Sequence, residues 1–328
     1  MALRATRILL AALSAAFALT ATLAHAQSAQ PWPNRPLRII VGFPPGGVAD
    51  AIPRKLQQSL SEALKQSIVI ENKPGGAGLI AMDAIAKGDD HTVGIMTLQN
   101  QIMPAVRAAM PYDPRADLNG VVVFGKTASV LVVTDELPVK TVPELIAFAK
   151  ANPGQLMAAS SGNATGQHFA IESLKLGANV DVVHVPYRGV APAFTDLISG
   201  RVQIMFGTYG STKQHWENGK VRPLAVSTPK RFSYMPELPT MAEVSGIADF
   251  SLVEWYALVA PTAVPVEARV RLSRILNEIM MTPDYGEFNK RYGLEYEPLT
   301  PAQTQAFMND ELDRASVIAK KAGIKFEQ

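Results

Sequence analysis

The sequence of 328 residues contains no cysteine. This absence excludes disulfide frameworks, thiolate zinc sites and cysteine nucleophiles. The net charge is also small, because 31 Lys+Arg nearly balance 29 Asp+Glu. This balance argues against a nucleic-acid-binding protein, since binding of nucleic acid needs a concentrated basic face. What is present is apolar: 48% of the residues are hydrophobic, which excludes a wholly disordered chain. A chain of this length suits two domains of ordinary size.

Residues 1–26 have the features of a secretory signal. Arg4 and Arg7 give a positive start, the apolar stretch ILLAALSAAFALTATL follows, and Ala24-His25-Ala26 has the small-residue pattern of a cleavage site. A membrane anchor is the alternative, but these 16 residues are short for a hydrocarbon core of about 30 Å. We therefore predict a signal peptide cleaved near Ala26 and a mature protein in the periplasm.

Strands and helices are predicted to alternate along the mature chain. Short apolar runs rich in β-branched residues predict strands at 37–43, 67–72, 91–98, 121–134, 155–161, 181–187, 202–208 and 221–228. Periodic segments predict helices at 50–65, 78–88, 142–151, 166–177, 191–199 and 211–218. Asp50 is expected to cap the first helix, with Pro53 in its first turn. This alternation predicts an α/β fold with parallel sheets covered by helices on both faces.

Two extended runs, 118–134 and 249–261, are unusually long. In an α/β protein of two doubly wound domains, a long strand can pass from one sheet into the other, and two such crossover strands form a hinge. The predicted domains are then 31–124 plus 257–328, and 125–256. The ligand cleft is expected between them, at the carboxyl ends of the strands. Three helices follow the second run, the last beginning at Thr300.

The turn VGFPPGGVAD (41–50) follows the first predicted strand. Gly46 and Gly47 allow a tight bend and a close approach of the backbone to a ligand. The amides and the dipole at the start of the next helix favour an anion without any lysine. A tight turn without a ligand is the alternative. No Gly-Lys-Ser/Thr follows, so the turn is not a P-loop.

The turn SSGNATGQH (160–168) repeats this arrangement in the other predicted domain. Its small hydroxyl and amide side chains can donate to a carboxylate, although Ser, Thr and Asn also cap helices routinely. Two such turns that face one cleft suit a dicarboxylate or a similar anion. The predicted donors are Ser160, Ser161, Asn163 and Thr165, with the amides near Gly166.

Other kinds of site have weaker support. Gly76-x-Gly78-x-x-Ala81 resembles a dinucleotide fingerprint, but the next strand ends in Thr97 and Gln99 without the required acid. There is no G-x-S-x-G motif, and a Ser160/His168 pair is the only hydrolase candidate considered. No histidines have the spacing of a metal site. One ring of the Trp255-Tyr256 pair is expected to form an aromatic wall of the cleft, although core packing is the alternative.

A series of segments in a fixed order resembles a known family. These segments are PWPNRPLRIIVGFPPGGVAD, IVIENKPGGAGLIA, MPYDPRADL, KTVPELIAFAKANPGQLMAASSGNATGQH, VVHVPYRGVAPAFTDLISGRVQIMF and GKVRPLAVSTPKRFSYMPELPTMAE. They resemble the Bug family of extracytoplasmic solute receptors, the TctC-type component of tripartite tricarboxylate transporters. The resemblance extends from about Trp32 to the C-terminus. It implies a type II periplasmic binding protein fold that closes on a small organic acid, without catalysis or a cofactor, and delivers it to a membrane permease.

The resemblance also implies which segments hold the ligand. In the family, the two turns bind a ligand carboxylate through amides, hydroxyls and water, and three further segments complete the cleft. We expect the protein to act as a monomer. The predicted ligand-binding residues are Phe43, Pro45, Gly46, Gly47, Asp50, Thr97, Gln99, Ser160, Ser161, Gly162, Asn163, Thr165, Gly166, His168, Tyr187, Gly207, Thr208, Tyr209 and Trp255.

One departure from the family pattern concerns ligand charge. After IMF the family usually has Asp-Asn, but here Gly207, Thr208 and Tyr209 follow. Because a buried ammonium needs a partner, the missing acid predicts an organic acid without an amine, aliphatic or aromatic. Tyr209 is expected to narrow the cleft or to stack on the ligand.

Three other functions stay open at this point. The first is a ligand sensor of the same fold that signals to a membrane kinase. The second is a secreted α/β hydrolase acting on esters or acids. The third is a dinucleotide-binding protein, which export from the cytoplasm makes a poor fit.

Overall fold

The computed structural model describes residues 32–325, and the predicted signal segment 1–26 lies outside them. The chain divides into a unit that ends at Asn34 and a compact unit that begins at Arg35. Every element below belongs to the second unit. Within the described range, no helix combines the length and the apolar character that crossing a bilayer requires.

Nine strands form where the sequence has short apolar runs. The first, with the sequence LRIIV, is buried along nearly its whole length, as expected for a strand with helices on both faces. The strands are β1 (Leu37–Val41), β2 (Ile68–Asn72), β3 (Thr92–Thr97), β4 (Leu118–Thr134), β5 (Leu156–Ser160), β6 (Val182–Pro186), β7 (Ile204–Thr208), β8 (Val221–Val226) and β9 (Val253–Pro261).

Eleven α-helices lie between and after the strands of the described range. They are α1 (Val48–Leu64), α2 (Leu79–Ala86), α3 (Leu98–Val106), α4 (Val142–Ala151), α5 (Gly166–Ala178), α6 (Val190–Ile198), α7 (Tyr209–Glu217), α8 (Met241–Val244), α9 (Val266–Met280), α10 (Pro283–Tyr292) and α11 (Pro301–Ala322). The helix α3 was not predicted, because its segment LQNQIMPAV is short and follows the strand without a turn residue.

The start of α1 differs from the prediction. The helix begins at Val48 with Gly47 as its N-cap, so Asp50 lies in its first turn and is not the cap. Pro53 is therefore inside the helix rather than in its first turn. The prediction placed the cap at the first residue with a capping side chain, whereas the extended conformation of Gly47 sets the start.

The strands form one sheet path in the order β2-β1-β3-β9-β4-β7-β5-β6, with β8 also paired to β4. The predicted parallel arrangement holds for β1, β2 and β3 and again for β5, β6 and β7. It is wrong at the centre, because β9 is antiparallel to β3 and β4, and β4 is antiparallel to β7 and β8. The sheet is therefore mixed, with parallel strands on either side of an antiparallel centre.

The strand β4 joins the two halves of the sheet. From Leu118 to Ala128 it pairs with β9, and from Ser129 onward it pairs with β7 and β8. A strand of 17 residues is about 55 Å long, enough to take part in both halves. We call the half with β1, β2 and β3 the first lobe and the half with β5, β6 and β7 the second lobe. The predicted domain boundaries at 124/125 and 256/257 stay predictions; the change of partner in β4 lies at 128/129.

Candidate functional site

The turn between β1 and α1, which we call the first turn (42–50), is held by a buried carboxylate. Asp50 is 3% exposed, and its Oδ2 accepts a hydrogen bond from the Gly46 amide at 3.0 Å. Arg54 Nε donates to the same oxygen at 2.9 Å, and Asn72 Nδ2 donates to Asp50 Oδ1 at 2.9 Å and to the Phe43 carbonyl at 3.0 Å. The hydrogen bond from Arg54 is the main reason that the pKa of Asp50 is lowered to about 2.

Asp50 therefore braces the turn. Its predicted contact with the ligand stays a prediction, because its oxygens accept hydrogen bonds from within the protein. The Gly46 amide is used inside the turn as well, since it donates to Asp50.

The next three amides of the first turn are available to an anion. Among residues 32–325, no acceptor is recorded for the amides of Gly47, Val48 and Ala49. Gly47 is exposed, and a Cβ built on it would meet nothing within 4 Å. Pro45 is exposed beside it, and Phe43 is partly buried. Amides without an acceptor at the start of a long helix, here one of 17 residues, are an arrangement that attracts anions without a charged side chain.

The turn between β5 and α5, the second turn (160–168), is held by neutral side chains. The Ser161 amide donates to Gln167 Oε1 at 2.6 Å, the Gly162 amide to Ser160 Oγ at 3.2 Å, and the Ala164 amide to His168 Nδ1 at 3.1 Å. Thr165 Oγ1 donates to the Gly162 carbonyl at 2.9 Å. The hydroxyls of Ser160 and Thr165, predicted as ligand donors, are thus used inside the turn.

Other donors of the second turn remain open. Within the described part of the chain, no acceptor is recorded for the amides of Asn163, Thr165, Gly166 and Gln167. Thr165, Gly166 and Gln167 are buried, and a buried amide is normally hydrogen-bonded. These amides and the side chains of Ser161 and Asn163 are the donors that this turn can offer to a ligand.

A pair of stacked histidines supports the second turn. The rings of His168 and His184 are parallel to within 13° with their centroids 3.9 Å apart, and His184 Nε2 lies 2.6 Å from Ser160 Oγ. Burial lowers the pKa of both rings. The pKa of His184 falls to about 3, because the neighbouring His168 and Lys175 disfavour its positive charge in addition to burial. His168 is therefore a neutral acceptor for a backbone amide and does not form the pair with Ser160 that the hydrolase alternative needs.

The register of the strands directs both turns toward the middle of β4. Thr97, at the end of β3, pairs with Tyr256 of β9, and Tyr256 pairs on its other side with Gly125 of β4. Thr208, at the end of β7, pairs with Ser129. The two strand ends approach from opposite directions and stop four residues apart on β4, about 13 Å. Since β1 is parallel to β3 and β5 is parallel to β7, the first and second turns lie on opposite sides of this gap.

The alternation of β9 places its side chains on two faces. Trp255 is 1% exposed and packs edge-on against Phe307 of α11, as the core-packing alternative expects, whereas Tyr256, the other ring of the predicted pair, is partly buried. Glu254 and Tyr256 lie on the opposite face, since successive side chains of a strand alternate. A Cβ on Gly166 would lie 2.3 Å from Glu254 Oε1 and 3.2 Å from Leu98 Cδ2. Glu254 therefore lies between the start of α3 and the start of α5.

Glu254 is the site residue that the sequence analysis missed. No metal-binding or catalytic motif surrounds it in the sequence. The only available signal was the alternation of side chains along Glu254-Trp255-Tyr256, which places Glu254 on the face opposite to Trp255. The pKa of Glu254 is raised to about 7, mainly by burial and secondly by the negative charge of Glu311. An acidic group thus lies in the cleft even though 207–209 contains none.

The remaining predicted residues differ in their access to the cleft. Tyr209 is 5% exposed and its ring packs against Phe232 and Trp216; its role in narrowing the cleft stays a prediction. Gly207 is buried, and Thr208 donates its hydroxyl to Ser211. The residues Thr97, Gln99 and Tyr187 lie at or just after the ends of β3 and β6, where Thr97 bonds to Asn100 and Tyr187 OH donates to Asp196.

A separate cavity lies on the other face of the crossover strands. It measures about 320 Å³ and is lined by residues that include Lys126, Phe307 and Glu311. Phe307 is the ring that contacts Trp255, so this cavity is on the side of β9 away from Glu254. It is therefore distinct from the place where the two turns meet.

Comparison with known proteins decides the family. A family model described as tripartite tricarboxylate transporter family receptor, TctC, matches residues 52–324. The chain belongs to the TctC family. A UPF0065 protein from the tcbD-tcbE intergenic region of Pseudomonas sp. strain P51 is 34% identical over 91% of this chain and 90% of its own length. The BugT protein of Bordetella pertussis is 31% identical over 95% and 96% of the two chains.

A solved structure agrees with this TctC assignment. The R. palustris protein Rpa4515 with adipate has a TM-score of 0.78 and 32% identity, covering 90% of this chain and 99% of its own. The predicted resemblance to the Bug and TctC receptors is confirmed, as is an α/β fold of the periplasmic binding protein type.

Proposed function

We propose that this TctC-family protein is a periplasmic receptor that traps a small organic carboxylate between its lobes and delivers it to a tripartite tricarboxylate-type permease. The observation that carries the proposal is the convergence of two sets of amides for which no acceptor is recorded among residues 32–325, at 47–49 in the first turn and at 163 and 165–167 in the second. Charge-assisted hydrogen bonds from amides to a carboxylate are among the stronger neutral-donor contacts in proteins. Two separate sets favour a ligand with two anionic ends.

The similarity to the adipate-bound protein supports a dicarboxylate. That relative is 32% identical over nearly its whole length, and the donors of the second turn lie within the range 52–324 that the family model matches. We propose an aliphatic or aromatic organic acid, with linear dicarboxylates such as adipate as the first candidates. The absence of an acid at Gly207 and Thr208 favours a ligand without an amine at that end of the cleft.

The proposed mechanism is closure of the lobes about β4 and β9. A ligand that touches donors from both lobes binds the closed form better than the open form, and it shifts the equilibrium only by that difference. The closed form then presents a composite surface to the permease. We propose that the receptor acts as a monomer in this cycle.

Binding without turnover is supported by the state of Ser160. Its hydroxyl is fully buried and lies 3.0 Å from the Gly162 carbonyl as well as close to His184. A ring whose pKa is about 3 is a poor general base near neutral pH. No hydrolytic role follows from this pair.

The test is calorimetry of the mature chain (27–328) with adipate, its monomethyl ester and a panel of other dicarboxylates. We expect 1:1 binding of a dicarboxylate, much weaker binding of the ester, and recovery of unaltered ligand after prolonged incubation. A ligand at a hundredfold excess over its Kd raises the free energy of unfolding by about 2.7 kcal/mol, which thermal unfolding detects. Failure of every carboxylate to bind, or conversion of the ligand, would overturn the proposal.

Two further measurements test its other parts. Fractionation of cells that express the full chain, and of cells that express residues 27–328, is expected to place only the first product in the periplasm. Crosslinking of the ligand-loaded receptor in membranes identifies the partner. Recovery of a sensor kinase instead of a permease would favour the sensor alternative.

A further inference from the structure

The carboxyl group of Glu254 lies at the centre of the proposed cleft. Its Oε1 is packed against the backbone of Gly166, the first residue of α5, and Leu98, the first residue of α3, is close to the same point. On β9 it lies opposite Thr127 of β4, beyond the last residue of β3 that pairs with β9, Thr97. Both helices begin at segments that we assign to ligand binding, so Glu254 faces the ligand from the hinge.

Within residues 32–325, no cation is recorded in an ion pair with this carboxyl group. Among the described residues, no ion pair or hydrogen bond is recorded for Glu254, whereas the nearby Glu311 is paired with Arg314 at 3.0 Å. The amides of Gly166 and Gln167 next to it have no recorded acceptor within residues 32–325. A ligand carboxylate attracted to these amides would therefore lie beside Glu254. Two carboxylates that share one site cannot both be ionised at low cost, so one of them keeps a proton.

We propose that Glu254 is a proton-carrying donor to the bound carboxylate, so that each ligand is captured together with one proton from solution. This inference rests on the proposed function, because it assigns a further role within the same cleft. The carboxyl group donates its hydrogen bond to a ligand oxygen, and the amides of α5 donate to the ligand's other lone pairs. Glu254 would thereby favour carboxylates over anions that cannot share a proton at neutral pH.

The surroundings of Glu254 agree with this role. The charge of Glu311 from α11 acts on Glu254, and Glu254 in turn raises the pKa of Tyr256 on β9; neither Glu311 nor Tyr256 supplies positive charge. The other elements packed against it contribute Leu98 of α3, Gly166 of α5 and Thr127 of β4, none of which titrates. Burial and Glu311 raise the pKa of Glu254 to about 7 before any ligand is bound, and an anionic ligand raises it further.

The experiment measures proton uptake. Adipate is titrated into the mature chain (27–328) at pH 6, 7 and 8 in pairs of buffers with different ionisation enthalpies, and the buffer dependence of the heat gives the number of protons bound. We expect uptake near zero at pH 6 and approaching one proton at pH 8. The Kd should rise about tenfold between pH 6 and pH 8. Glu254→Gln keeps a hydrogen-bond donor and should bind adipate with no uptake and a flat pH profile.

A control and a readout without ligand complete the test. Glu297→Gln removes an exposed carboxylate (its side chain is 71% exposed) and should leave affinity and uptake unchanged. Carbon NMR of the Glu254 carboxyl in the ligand-free chain should show titration near pH 7. Adipate binding without uptake, uptake that persists in Glu254→Gln, or titration of Glu254 near pH 4 would each overturn this role and leave the proposed function standing. Failure of all carboxylates to bind would overturn the proposed function itself.

Discussion

The first turn is held by a buried charge, whereas the second turn is held by neutral side chains. In the first, Asp50 accepts hydrogen bonds from the Gly46 amide and from Asn72 and forms an ion pair with Arg54. In the second, Gln167, Ser160 and His168 accept the corresponding amides. Both turns follow a parallel strand and precede a helix, and both leave a run of amides without acceptors. The same backbone arrangement is therefore obtained by two kinds of chemistry.

Because of this difference, the stability of the two turns should depend on pH in different ranges. A carboxylate with a lowered pKa stabilises the fold until strong acid protonates it, whereas buried neutral histidines stabilise it only until mild acid charges them. The two turns should consequently lose their bracing in different pH ranges. Their ligand donors should also differ in tolerance of substitution, because the first turn is open to solvent and the second is largely buried.

The largest effect is expected when the open amides of the first turn are covered. Gly47→Val places a branched side chain over them, and Gly47 has φ of −82° with open space around its Cβ position, so the variant should fold normally. Loss of two amide bonds to a carboxylate, each worth roughly 1.5 kcal/mol, predicts about a hundredfold increase in Kd. Calorimetry measures the Kd of the variant for adipate.

The control is Gly286→Val, at another glycine with open space around its Cβ position, which should leave the Kd unchanged. An unchanged Kd for Gly47→Val would show that the first turn does not bind the ligand.

A smaller effect on stability is expected from Asp50→Asn. The folded-state pKa of Asp50 is about 2 against an ordinary 3.8, so its contribution is present above pH 4 and is lost as the pH falls toward 2. We expect the variant to be less stable than the native chain by about 2 kcal/mol at pH 7. Urea unfolding should show the deficit at pH 7 and a smaller one at pH 2.5.

The control for this prediction is Asp284→Asn, which removes an exposed partner of Lys55. Exposed ion pairs contribute about 0–1 kcal/mol, so its loss should be minor at either pH. An Asp50→Asn deficit that is the same at pH 2.5 and pH 7 would contradict the proposed brace, since it would then be unrelated to the charge.

Much of this architecture could be predicted because short-range patterns determine it. The runs that became β1, β5 and β7 are apolar and bounded by turn residues, and the long run 118–134 did become the shared strand β4. The antiparallel centre could not be predicted, because strand direction depends on pairing between residues more than a hundred positions apart, such as Gly94 and Val259. Sequence periodicity carries no information about such pairing.

The roles of individual side chains were harder to predict for the same reason. Tyr209 and Trp255 have residue types that suit a cleft wall, yet their neighbours Phe232 and Phe307 come from distant segments and enclose them. Asp50 was recognised as a candidate site residue, but its partner Asn72 lies on β2, 22 positions further along the chain. Glu254 was overlooked because its position between α3 and α5 exists only once both lobes have folded.

The smallest effect concerns the histidines of the second turn. His184 has a lowered pKa of about 3, so its contribution to stability is complete above pH 6.5 and is lost as the pH falls toward 3. Because the ring is partly exposed, we expect the native chain to lose only about 1 kcal/mol from this source between pH 7 and pH 5. His184→Gln keeps a polar group near Ser160 but cannot titrate, so its free energy of unfolding should change less over this range. His215→Gln, outside the turn, controls for loss of a histidine in the same lobe. If His184→Gln and the native chain lost equal free energy of unfolding between pH 7 and pH 5, groups other than His184 would cause the loss. The two turns would then not differ in the pH dependence of their stability.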